Sequence, residues 1–293
     1  MFKGALSTSF AVLQRKGMTR YPFIPQPLRY QGGKILFQVR SQWSKFCFDR
    51  AGSGLPLRRN EQNLAALKDA HKGERIFVLG NGPSLKETDV DRLCGEVTIA
   101  SNSIFLLFDE KKFRPSYYTI EDTLVAEDRR NEATNVKGAV KVFPEDLKHW
   151  LPPAPDTIHI NFRRNYEPWP RFTSNFNREV FWGGTVSFLN LQLAFYLGAS
   201  EVYLIGFDHN YEQPAKEDDV EGTVIMSNSA DVNHFHPDYF GKGYRWHDPM
   251  VDRMERGYIC ARDFFESHNR KIFNATAGGR LEVFDRVGFS SLF

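Results

Sequence analysis

The stretch RIFVLGNGPSLKETD, residues 75–89, decides the fold. An apolar run, Ile76-Phe77-Val78-Leu79, stops at Gly80-Asn81-Gly82-Pro83-Ser84, and a polar segment able to start a helix follows. This reads as a core strand, a tight turn and a helix start. In open parallel sheets ligands bind beyond the carboxyl ends of the strands. Glycine lets backbone approach a ligand with no Cβ in the way. Pro83 stiffens the turn, Ser84 can cap the helix, and free N–H groups there suit an anion. The Asn81 amide both donates and accepts, as a ribose or base edge requires. The turn is neither GxxxxGK[ST] nor GxGxxG.

Outward from this turn, strand candidates recur at 75–80, 97–101, 116–120, 140–143, 157–161, 201–206 and 271–274. Helices are expected at 60–72, 89–94, 121–134, 185–198 and 250–268. The segment TVSFLNLQLAFYLG is apolar on most faces and reads as a buried helix, with Gly198 at its C-cap. Strand–helix–strand units of this length predict an α/β, Rossmann-like fold with a mostly parallel sheet and helices on both faces. Residues 1–72 are read as a basic arm, irregular apart from one short element near 34–48, plus a lead-in helix. Residues 73–293 form the catalytic domain. Within it, 209–249 is polar, aromatic and without periodicity, the pattern of a functional lid.

The chain has 293 residues, of which 41% are hydrophobic and 25% charged, and its three cysteines form no CxxC. That composition is globular. No eighteen-residue apolar run suggests a membrane span, and unpaired cysteines fit a reducing cytoplasm. Net charge is +2, but residues 1–60 hold eleven Lys or Arg against Asp49 alone, leaving 27 basic and 35 acidic groups elsewhere. A basic arm carrying Trp43, Phe46 and Phe48 suits the anionic inner face of the cytoplasmic membrane. The acidic body argues against nucleic acid.

A second strand end follows the first: VTIASNSIF sets Ser101-Asn102-Ser103 just past strand 97–101. Two such ends side by side make a polar cradle for a nucleotide. LGNGPSL, ASNSIF, FWGGTVSFLNLQLAFYLGASEVYLIGFDHNY and KIFNAT together resemble a prokaryotic family labelled 6-hydroxymethylpterin diphosphokinase-like. That family is similar in turn to bacterial family-42 sialyltransferases and flagellin nonulosonic-acid transferases. The resemblance covers residues 73–293 and leaves the arm outside. It implies that Asn81 and Asn102 hold a cytidine nucleotide, helped by the turn Gly183-Gly184-Thr185. It implies lid tyrosines on the leaving phosphate, with Tyr211, Tyr239 and Tyr244 as candidates. By position it implies His247 as general base.

The lid also holds His209, His234 and His236, and near-neutral imidazoles can accept a proton. Lys242 and Arg245 could neutralise a departing phosphate. His234-Phe235-His236 with Asp208 or Asp231 could instead ligate a divalent ion, but no DxD motif is present. Asp208 is read first as a strand-end residue that orders the lid or binds the ligand. Glu121-Asp122 either lines the acceptor side or begins a helix. The expected function is an inverting transfer of an acidic sugar (sialic, pseudaminic or Kdo type) from a CMP-activated donor to a surface glycan. No cofactor or metal is required, and a cleft locally positive enough for the sugar carboxylate is expected. The alternatives are a pterin diphosphokinase using ATP and magnesium, and a non-catalytic nucleotide-binding module.

Overall fold

The computed structural model describes residues 26–212 and 218–293, with side chains from residue 38 onward. The first 25 residues of the expected arm lie outside the described residues. Eight strands form one sheet: β1 (Arg75–Leu79), β2 (Val97–Ser101), β3 (Tyr117–Thr119), β4 (Val140–Pro144), β5 (Thr157–Ile160), β8 (Glu201–Ile205), β12 (Lys271–Asn274) and β13 (Asp285–Arg286). Their spatial order is β5-β4-β3-β2-β1-β8-β12-β13, and every pairing is parallel. Sequence order runs outward in both directions from the β1–β8 pair. That pair is the switch point of a Rossmann-like sheet, where a crevice opens at the strand ends.

The apolar run 76–79 exists because both faces of the sheet are covered. Ile76 and Val78 pack with the buried helix α5 (Val186–Leu197) and with α6 (Val251–Glu266). Phe77 and Leu79 pack into a second core with Leu85, Ala100, Tyr118 and Ile205. Helix α5 buries eleven of its twelve residues and ends at Gly198, whose φ of 96° closes a left-handed cap.

Three expectations are corrected. The arm is not irregular: helix α1 spans Gln26–Gly52. Pro27 sits in its first turn, where a missing N–H costs nothing, and the Gly32-Gly33 pair is carried through at about 1 kcal/mol per glycine. Ser44, Cys47, Phe48 and Ala51, spaced as one helical face, dock its end on the body. The lead-in helix α2 (Arg59–Ala66) stops earlier than expected, and the 121–134 helix is two pieces, α3 (Thr123–Asp128) and α4 (Arg130–Asn135), broken at Arg129. Two short strands, β6 (Phe162–Arg163) and β7 (Val180–Phe181), pair beside the main sheet. The lid contains a small antiparallel sheet of β9 (Asp219–Glu221), β10 (Val224–Met226) and β11 (Arg245–His247).

Candidate functional site

The turns that follow β1 and β8 are joined by backbone. Gly80 N–H donates to Ile205 O at 2.7 Å, and Gly82 N–H to Gly206 O at 2.9 Å. A Cβ on Gly80 would stand 2.4 Å from Gly206 O, so only glycine allows this approach. Asp208 fastens the same turn. Its Oδ1 accepts from Ser84 N–H at 3.1 Å and its Oδ2 from Ser84 Oγ at 2.7 Å. A Cβ on Gly82 would fall 2.0 Å from Asp208 Oδ2. Of the two sequence readings of Asp208, the geometry therefore gives a brace: both carboxylate oxygens hold Ser84, and Pro83 and Ser84 lie behind the binding surface rather than on it.

Between these turns lies an open cleft, about 600 Å³ when the solvent in its mouth is included, lined by Gly80, Asn81, Gly82, Asn102, Thr185, Ser187 and Asp208 from the body. The lid adds His209, Tyr211, Asn233, His234 and Tyr239. Asn81 and Asn102 thus share one cavity. Asn102 adopts φ +54°, a conformation asparagine tolerates, and Tyr118 Oη donates to its carbonyl at 2.5 Å. The side-chain Oδ1 atoms of Asn81 and Asn102 are both buried with no hydrogen-bond partner. Both residues line the cavity, and because a buried unpaired acceptor costs about 1–3 kcal/mol, a ligand donor within reach of either carboxamide would relieve that cost.

The N-terminus of α5 forms another wall. Thr185 caps it, its Oγ1 accepting from Ser187 N–H at 3.3 Å, and Thr185, Val186 and Ser187 all line the cleft. The positive end of a twelve-residue helix suits an anion. Gly183 and Gly184 do not line the cleft. A Cβ on Gly183 would meet the Phe188 ring at 2.3 Å, and Gly184 has φ +90°. They shape the turn that aims the helix. Tyr258 of α6 completes this wall, its hydroxyl bonded to Ser187 and Thr185 and pushed up to about 12 by burial. It went unremarked in the sequence because its spacing with Met254 and Phe265 reads as core.

The positive cleft expected for an acidic sugar is not seen among the described residues, of which no lysine or arginine lines it. Its polar donors are the α5 terminus, imidazole N–H groups and tyrosine hydroxyls. His234 Nδ1 pairs with Asp231 Oδ2 at 2.7 Å, and its ring stacks on Tyr239 at 4.0 Å, 5° from parallel. Asp231 is itself fixed by the N–H groups of Asn233 and Phe240. His234 also borders a second lid cavity, with Ser227, Asp231 and Trp246. His209 Nε2 lies 3.3 Å from Glu255 Oε1, out of line for a hydrogen bond, and burial lowers its pKa. Burial raises the pKa of Tyr211 and of Tyr239, whose hydroxyl meets the Asn102 side chain, so both stay protonated donors.

Three expected catalytic residues are not brought to this cleft. His247, 42% exposed, pairs through Nδ1 with Asp122 Oδ2 at 2.8 Å, a contact that raises its pKa. Arg245 is spent on Asp128 and on Glu127 Oε2, 3.0 Å away. The Tyr244 ring lies 3.6 Å from the Arg129 guanidinium, which also holds Tyr239 O at 3.0 Å. All three fasten the lid to α3 and its surroundings. Asp122 caps α3 through Leu124 N–H and Val125 N–H, the helix-start alternative for Glu121-Asp122. Burial would raise the Asp122 carboxyl, but His247 and these N–H groups together lower it. Burial pushes Glu121 up to about 7 despite Arg164 at 3.2 Å. Among the described residues no group of three His, Cys, Asp or Glu could hold a metal ion, and the His234-Phe235-His236 pair is not joined by Asp208.

Among curated proteins none matches this sequence. A solved structure of the Maf glycosyltransferase from Magnetospirillum magneticum AMB-1 is similar over 77% of this chain, at 16% identity and a TM-score of 0.48. This chain spans about a third of its length, 35%. A mammalian sialyltransferase in complex with Gal-beta-1-3GalNAc-ortho-nitrophenol aligns over 94% of this chain and 85% of its own, at 11% identity and a TM-score of 0.34. At such scores neither likeness bears on activity. The model of the family described as 6-hydroxymethylpterin diphosphokinase MptE-like matches residues 56–214, more than half of the sequence, and the chain belongs to that family.

Proposed function

We propose that the cleft binds CMP and that the protein is an inverting glycosyltransferase, moving an acidic sugar from a CMP-activated donor to a hydroxyl of a surface glycan. The observation that carries this reading is that Asn81 and Asn102, whose buried Oδ1 atoms lack partners, line one cavity together with the α5 N-terminus. The carboxamides accept from ribose hydroxyls or the cytosine amine, and the helix end receives the single phosphate. The acceptor oxygen attacks the anomeric carbon as the bond from that carbon to the phosphate oxygen breaks, and its electron pair leaves with CMP. His234 Nε2 takes the hydroxyl proton, and Asp231 on Nδ1 orients the ring and stabilises the imidazolium. Tyr211 and Tyr239, held protonated by burial, donate to the departing phosphate. His234 replaces His247 here because it lines the cleft.

The family description favours a second reading, diphosphate transfer from ATP to a pterin. The cleft fits it less well. A triphosphate concentrates several negative charges, and among the described residues no lysine or arginine of the cleft would meet them, so magnesium would have to carry that charge. A third reading, a nucleotide-binding module without catalysis, leaves Asp231–His234 with no task. A thermal-shift panel of CMP, CDP, UDP, GDP and ATP, with and without magnesium, separates them, since a bound ligand raises the melting temperature. CMP stabilisation without metal is expected. Stabilisation by ATP with magnesium and none by CMP would establish the second reading.

A further inference from the structure

Helix α1 leaves the body before it ends. Residues 38–43 are exposed on every side, and only from Ser44 onward does one face become buried. On the projecting part Val39 is 59% exposed, Trp43 53% and Phe46 47%. Their spacing of four and then three residues puts them on one stripe. Trp43 and Phe46 contact each other, with ring centroids 5.6 Å apart. Leu55, tied back to the helix by its N–H bond to Arg50 O, and Leu57 are exposed as well. Five of the ten large hydrophobic side chains exposed among the described residues therefore fall between 39 and 57, so the apolar surface is concentrated rather than scattered.

Charge selects the occupant. Exposed Arg40 and Lys45 lie to either side of the stripe, and Asp49, the one acidic residue in the first sixty, is engaged by Arg178 at 3.0 Å. A protein partner would need acidic groups placed to match these cations; an anionic bilayer supplies negative charge continuously. Indole and phenyl rings settle at the headgroup level, where long basic side chains reach the phosphates.

We propose that the Val39-Trp43-Phe46 face of α1, with Leu55 and Leu57, docks on an anionic lipid surface. The proposal does not depend on the transferase reading. The test is co-sedimentation of the full chain with phosphatidylcholine vesicles, with and without phosphatidylglycerol, using wild type and the double variant Trp43→Ser/Phe46→Ser. Wild type should bind the anionic vesicles, lose that binding as salt rises, and bind neutral vesicles about tenfold more weakly or worse. The variant should lose about tenfold or more on anionic vesicles. Both side chains are surface-exposed, so its melting temperature should match wild type. Equal binding to neutral vesicles, or undiminished binding by the variant, would overturn the proposal. So would a concentration-dependent dimer in sedimentation that the variant abolishes, which would make the face an interface between copies.

Discussion

The cleft at the Gly80 turn and the seam that fastens the lid to α3 lie on the same edge of the sheet, yet they are built from opposite chemistry. The cleft uses carboxamides, hydroxyls, imidazoles, glycine backbone and one helix terminus, with no lysine or arginine among the described residues. The seam is crowded with ions: Arg245 with Asp128 and Glu127, His247 with Asp122, Arg164 with Glu121 and Asp146. The difference teaches that charge here is used to hold the lid, whereas neutral dipoles are left open for the ligand. Oriented dipoles can meet a single phosphate without the desolvation penalty of a buried unpaired cation.

The largest effect should come from breaking the cleft's base. His234→Ala should lower kcat of sugar transfer by about 10²–10⁴ and leave CMP affinity within a few-fold; His247→Gln should leave kcat near wild type. Reversed behaviour would return catalysis to the seam. Gly82→Ala comes next, because its Cβ lands on Asp208 and must displace the brace to Ser84. A loss of about 1–3 kcal/mol in urea unfolding is expected, and no loss would mean the turn is slack. Removing one carboxamide is milder: Asn81→Ala or Asn102→Ala should weaken CMP about tenfold in calorimetry, the worth of one buried hydrogen bond.

The smallest effect belongs to the seam and depends on pH. Asp122 raises the pKa of His247, so that pair stabilises the fold fully below the unfolded histidine value of about 6.5 and fades as pH rises through the higher folded value. At its acid end the pair is lost when pH falls through the depressed pKa of Asp122. Glu121, pushed up to about 7, adds a loss of stability as pH climbs from the ordinary carboxylate range toward neutrality. Comparing wild type with His247→Gln across pH isolates the pair, whose worth should stay below about 1 kcal/mol since His247 is 42% exposed. A difference between the two that grows in alkali would contradict the pairing.

Much of the sheet was legible because its signals are local. The run 76–79 ends at Gly80, the Gly198 cap closes α5, and Asn102 follows β2 directly. The lid was not legible, because its residues are placed by partners far away in sequence. Arg245 reads as a free cation until Asp128, 117 positions earlier, is seen beside it. His247 and His234 look alike in the sequence, and only Asp122 under one and the cleft beside the other separate them. The helix α1 was hidden by Gly32-Gly33, local breakers outweighed by a docked apolar face.

The most direct test is a crystal structure with CMP bound. The expected result is a cytidine held by the side chains of Asn81 and Asn102, with its phosphate at the Thr185–Ser187 end of α5. A nucleotide found in the second lid cavity, or at the β3 seam beside His247, would contradict it.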